Sequence, residues 1–135
     1  RQADPNADER LTSGDDLEIY RRRLTSLVEA CRQRGLKLLL VTQPTMWRGD
    51  LPPEDEKLLV EQTEQVAYSA GVLARLMESY NEIMTSVGKE TGTPVADLAG
   101  AIPKDRSAFY DDCHFNDAGC EKVAQFLADR LAREM

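Results

Sequence analysis

The sequence predicts an α/β fold with parallel strands and helices over both faces, and three observations lead to it. Apolar residues recur at spacings of three and four in three long segments, the period of amphipathic helices. Two short runs, Lys37 to Gln43 and Thr93 to Leu98, are apolar without alternation, as strands covered on both faces are. The elements alternate as helix, strand, helix, helix, strand, helix, an order that gives parallel strands joined by right-handed crossovers. With 135 residues, 41% hydrophobic and 30% charged, the chain has the size and balance of one water-soluble domain. Its 17 Lys+Arg against 24 Asp+Glu leave a formal charge of -7, which repels a phosphate backbone, so nucleic acid is not an expected partner. The longest aliphatic run, Leu38 to Val41, is far short of the roughly 20 residues that cross a bilayer, so no membrane span is expected.

Residues 1–15 are polar, Asp-rich and read as a linker or loop, and Asp15 or Asp16 is placed to cap the helix that follows. Arg1 is not an initiating Met, which leads to the expectation that polypeptide upstream has been removed or left out. Leu17, Tyr20, Leu24, Leu27, Val28 and Cys31 form the apolar stripe of the first helix, and Gly35 stops it. The first strand ends at Pro44. Residues 44–53, with three prolines, a glycine and the only tryptophan, read as a long loop leaving its carboxyl end. Pro53 opens a further helix to about Tyr68. Leu73, Leu76, Met77, Tyr80, Ile83, Met84 and Val87 mark a helix that Gly92 terminates. After the second strand comes an irregular segment to Phe115, and then a helix from about Asp117 to Arg133 capped by Asn116, with Cys120, Val123, Ala124, Leu127 and Leu131 inward. Two strands offer too little surface for four amphipathic helices, so the core is expected to be completed by a missing amino-terminal half or by a second chain.

One segment carries chemistry. The single histidine, His114, stands three residues after Asp111, within Tyr110-Asp-Asp-Cys-His-Phe-Asn-Asp-Ala-Gly119. In a short loop, Asp-x-x-His lets the carboxylate take the imidazole Nδ1–H, which leaves Nε2 as an outward-facing acceptor able to serve as a base. Asp112 is the alternative orienting residue, because spacing alone does not separate adjacent aspartates. Loops 44–53 and 99–115 leave the carboxyl ends of the two strands, where ligand chemistry gathers in parallel sheets, so both are expected at one rim.

Asp111 to Gly119 before a terminal amphipathic helix resembles the last block of the SGNH (GDSL-type) hydrolases. The likeness continues upstream through Leu38-Leu-Leu-Val-Thr-Gln-Pro44, the Tyr80-Asn-Glu-Ile helix and Thr93-Pro-Val-Ala-Asp-Leu98, and so covers roughly residues 16–133. It implies a partial flavodoxin-like three-layer sandwich, with residues 16–135 as the carboxyl-terminal portion of one such domain. It also implies a serine ester hydrolase in which His114 is the general base and Asp111 orients it, acting on a small-molecule or carbohydrate ester. The family's Gly-Asp-Ser nucleophile block and its oxyanion-hole blocks have no counterpart here. Ser13 lies in Thr-Ser-Gly-Asp15, in reversed order and after no strand, and reads as a loop or capping serine. By itself the chain is therefore expected to be inactive.

Trp47 is a candidate for stacking on a sugar or lining an acyl pocket, against the alternative of stapling its loop to the body. Thr42 and Gln43, at the strand's carboxyl end, are candidate substrate contacts. No cofactor is expected. Asp111, Asp112, His114 and Asp117 show no recognisable metal-ligand pattern, and a nucleophilic role for Cys113 is disfavoured by its place beside the base. The three cysteines, 31, 113 and 120, read as free thiols. The rival function is a non-catalytic module that dimerises or docks through its exposed sheet.

Overall fold

The structure, a computed structural model, describes residues 14–58 and 68–134. The elements in chain order are α1 (Gly14–Gln33), β1 (Leu40–Val41), α2 (Pro53–Glu56), α3 (Ala70–Thr91), β2 (Val95–Ala96), α4 (Leu98–Ala101) and α5 (Asp117–Glu134). β1 and β2 pair in parallel, Leu40 opposite Val95 and Val41 opposite Ala96. The described residues are thus mostly helical around one two-stranded sheet, and the three-layer flavodoxin-like sandwich, even in part, is not their architecture.

The expected strands are cut short for local reasons. Beyond Val41, the backbone of Gln43 is taken by a side chain: its N–H donates to Asn81 Oδ1 (2.8 Å) and its carbonyl accepts from Asn81 Nδ2 (3.0 Å). Pro44 then has no N–H for a ladder. On the other strand, Thr93 N–H returns to the Gly88 carbonyl at the end of α3 (2.9 Å), and Asp97 caps α4 by accepting from Gly100 N–H (3.1 Å). The ladder is thus limited to Leu40–Val41 against Val95–Ala96, with the Pro94 carbonyl and the Thr42 N–H bonding at its two ends.

The long helices follow their expected stripes with adjustments. α3 starts at Ser69, whose hydroxyl accepts from Val72 N–H, and ends at Gly92 in the left-handed region (φ 67°), where a side chain would be strained. α1 lies against α3 through Leu24, Val28, Leu40 and Val87, with Tyr20 meeting Tyr80 edge-on at 4.8 Å between ring centroids. Leu27, expected inward, is exposed. On α5, Cys120, Ala124 and Leu131 are also exposed. The covered positions are Gly119, Val123, Phe126, Leu127 and Arg130, whose guanidinium donates to the Val95 carbonyl (2.9 Å). The helix is rotated because Gly119 sits directly on the Ala108 carbonyl. Most of the helix expected over 54–68 lies outside the described residues. Its start is the single turn of α2, tied down by Arg106, which bonds Asp55 and the Glu54 carbonyl.

Residues 44–52 form a loop, as their composition indicates, and the loop is packed inward. Met46, Trp47 and Leu51 are buried among Leu73, Leu98, Ile102, Ala108 and Phe109, so this loop is part of the core and not a surface excursion. Burying side chains of this size stabilises by about 1.5–3 kcal/mol each. No helix among the described residues is long and apolar enough to cross a membrane.

A β-carbon at position 119 would collide with the Ala108 carbonyl, whose oxygen also accepts from Asn116 N–H. Gly119→Ala, which at an open helical site would gain up to about 1 kcal/mol, is instead expected to cost about 1–3 kcal/mol. Thermal unfolding followed by circular dichroism checks the sign.

Candidate functional site

The loop that carries the histidine is a closed turn. Phe109 and Phe115 form an antiparallel bridge with their rings 5.0 Å apart, and Tyr110 N–H donates to the His114 carbonyl (3.1 Å). Asn116 closes the base. Its Oδ1 accepts from Gly119 N–H (2.8 Å) as the α5 cap, and its Nδ2 donates to the carbonyls of Arg106 (2.8 Å) and Phe109 (3.3 Å). The segment between the two phenylalanines is therefore held at both ends before its own side chains act.

Within the turn, adjacent aspartates point in opposite directions. Asp112 is fully buried. Its Oδ2 accepts from Trp47 Nε1–H (2.9 Å) and its carbonyl from Met46 N–H (2.9 Å). Asp111 turns to the imidazole: Oδ2 lies 2.8 Å and Oδ1 3.1 Å from His114 Nδ1. Oδ1 also accepts from the backbone N–H groups of Cys113 (3.0 Å) and His114 (2.7 Å). Geometry thus separates the two candidates that spacing leaves open, and Asp111 is the one in contact with His114.

This arrangement fixes both charge and ring. Partial burial pushes the Asp111 carboxyl up, but the N–H groups of Cys113 and His114 and the imidazole itself outweigh it, holding the acid below the ordinary aspartate range. Tyr110 stacks on the imidazole at 5.7 Å between centroids and 15° between planes. With Nδ1 facing the carboxylate, the neutral ring carries its proton there and Nε2 is the acceptor. The His114 side chain is 60% exposed against 16% for Asp111, so the imidazole faces outward on a covered support.

The other candidate residues are not brought to this ring. Trp47 is buried with its N–H committed to Asp112, the position of a staple and not of a sugar platform. Thr42 is buried, donating to Asp97 Oδ1 (2.9 Å) and accepting from Ala99 N–H (2.9 Å). Gln43 is exposed and, with Thr42, lines a groove of about 890 Å³ between α3 and the segment after β2, with Met77, Asn81, Asp97 and Lys104. None of residues 110–114 is among its walls. The two loops do meet, through the bonds of Asp112, but the groove and the imidazole are separate features.

Sequence reasoning missed Tyr110 and Asn81. The first could have been found from the Phe109 and Phe115 pair, since an antiparallel bridge at those residues brings 110 and 114 together. Nothing in the pattern marks Asn81, which reads as one polar position on a long helix.

No serine hydroxyl is hydrogen-bonded to His114 among the described residues. Ser26 and Ser79 bond back to carbonyls one turn earlier, Ser69 caps α3, and Ser86 donates to Glu90. Ser107 is engaged with Asp105.

Because the chain has one histidine and one tryptophan, both contacts can be read cleanly in solution. Nitrogen-15 NMR of the neutral ring is expected to show the Nδ1–H tautomer, and Asp111→Ala to lose it. Asp112→Ala should leave the tautomer in place, cost about 1–3 kcal/mol and shift Trp47 emission to the red. Since the Asp111 value is lowered on folding, its stabilising effect is complete above the free-chain value of 3.8 and lost as pH falls through the lower folded value. Acid titration of the turn, compared with Asp111→Asn, checks that window. Comparison of the chain with models of protein families, with curated proteins and with solved structures finds no match.

Proposed function

We propose that this chain supplies the general base and its orienting carboxylate to a serine-type ester hydrolase of the SGNH kind. The observation that carries the reading is the grip of Asp111 on His114. One carboxylate oxygen is fixed by two backbone N–H groups while the other faces Nδ1, so Nε2 is left outward as a proton acceptor. The sequence block Asp111 to Gly119 and the Asn116 cap at the start of α5 support it from the primary structure. The Asp111–His114 pair and its sequence block carry this function without a flavodoxin-like sheet behind them among the described residues.

In the proposed reaction a serine hydroxyl approaches Nε2, gives up its proton as its oxygen attacks an ester carbonyl, and the same proton passes from Nε2 to the departing alcohol. Asp111 keeps the ring in the required tautomer and balances the transient imidazolium. Tyr110 limits rotation of the ring about its own axis. The serine and the oxyanion donors belong to polypeptide other than the residues described.

The test is the full product of the gene assayed with p-nitrophenyl acetate. Hydrolysis is expected, with His114→Ala and Asp111→Ala each lowering kcat on the order of 10³-fold or more. Residues 1–135 alone are expected at background. Full-length turnover that is indifferent to His114→Ala would refute the assignment.

A further inference from the structure

We propose that Asp111, Cys113 and His114 form a three-ligand site for a borderline transition-metal ion of Zn²⁺ character, which takes the imidazole through Nδ1 and reverses its tautomer. One donor atom from each of the three residues lies within 4.8 Å of the others, and they are of three kinds: a carboxylate oxygen, a thiol sulfur and an imidazole nitrogen. Cys113 is in no disulfide, and its Sγ is 3.5 Å from His114 Nδ1. With metal–ligand bonds of about 2.0–2.3 Å, the edges of a tetrahedral site are about 3.3–3.6 Å, so the sulfur and nitrogen already stand at ligand spacing. Asp111 Oδ2 faces the same nitrogen at 2.8 Å and needs to open by about half an ångström. The other oxygen, Oδ1, stays on the N–H groups of Cys113 and His114, the kind of backing contact that orients a metal-bound carboxylate.

The donor set selects the ion. Thiolate and imidazole suit Zn²⁺ and its neighbours, whereas Mg²⁺ and Ca²⁺ require oxygen ligands throughout. Three protein ligands on one exposed turn leave a fourth position for water, with the imidazole on the open side. The aspartates weighed from sequence did not include this set. Asp112 is turned inward to Trp47, and the sulfur of Cys113 takes the place that a second carboxylate would have held.

Protons balance as follows. Before capture the thiol holds one proton and Nδ1 holds the imidazole proton. On capture sulfur and Nδ1 each form a bond to the metal, the imidazole proton is relocated through solvent to Nε2, and the thiol proton is released, one per ion bound. A neutral ring with Nε2–H has no acceptor to offer, so the ion would silence the base. That consequence rests on the hydrolase reading, whereas the site itself does not.

The test is titration of the reduced 135-residue chain with Co²⁺ as a spectroscopic stand-in, followed by displacement with Zn²⁺. Expected are a thiolate-to-cobalt charge-transfer band in the near ultraviolet, tetrahedral bands in the visible, and release of one proton. Nitrogen-15 NMR with Zn²⁺ should show the single imidazole converted to Nε2–H. The spectrum should survive replacement of both Cys31 and Cys120 by serine. Cys113→Ser should abolish the charge-transfer band, and both it and His114→Ala should weaken binding by about tenfold or more, since even residues behind metal ligands are worth roughly 10–100-fold. The exposed ring makes His114→Ala safe for folding. A charge-transfer band that persists in Cys113→Ser, or a chain that takes up neither ion, overturns the site. No ester enters this experiment, so its failure leaves the hydrolase reading standing, and an inactive full-length protein leaves the metal site standing.

Discussion

The buried side chain of Asp112 anchors the whole arrangement. Removing a polar group from water is costly unless it is hydrogen-bonded, and Asp112 accepts at Oδ2 from the indole N–H of Trp47. Its own carbonyl takes the neighbouring Met46 N–H, so one residue grips two consecutive positions of the 44–53 loop by side chain and by main chain. A buried hydrogen bond contributes about 0.5–1.5 kcal/mol, and it acts together with the burial of Met46, Trp47 and Leu51 in holding the loop against the body. Asp112 is committed to the interior, and Asp111, turned to the imidazole, is held by the N–H groups of Cys113 and His114. Each aspartate thus has its own fixed partners.

The same logic explains why the turn is stable without a strand to carry it. The Phe109–Phe115 bridge, the Asn116 cap and the seat of Gly119 on the Ala108 carbonyl are consecutive constraints along residues 108–119. Each fixes backbone that would otherwise have to be ordered by a larger sheet. α5 is then positioned by its first turn more than by its apolar stripe, which is why its inward face differs from the one that periodicity selects.

Much of this was legible in the sequence, and the failures have physical causes. The spacing of Leu73 to Val87 with Gly92 behind it located α3, and Asn116 located the start of α5, because caps and stripes are local signals. The parallel pairing of the two apolar runs also appears, reduced to two residues each. The length of the strands was not legible. It is decided by Asn81, thirty-eight residues from Gln43, and no local pattern reports so distant a contact. The proline-rich segment is a loop, as its composition indicates, but the extent of its burial was not legible for a related reason: it involves Asp112, sixty-five residues away from Trp47. For the candidate site, Asp-x-x-His pointed to the contact between Asp111 and His114, but the contacts of Cys113 and Tyr110 with the ring depend on how tightly the turn closes.

Asn81 has one more effect. Leu40 and Thr42 send their N–H groups to the carbonyls of Pro94 and Ala96, so the peptide groups of Val41 and Gln43 face the opposite side of the sheet. The amide of Asn81 imitates a neighbouring chain at Gln43 and uses up both of its bonding groups. Any polypeptide that joined along that side would find its last rung at Val41. Its register would be dictated by a helix side chain, and its tip would come to rest level with the start of the segment that leads to Trp47. A single amide thus works as a doorstop for the sheet.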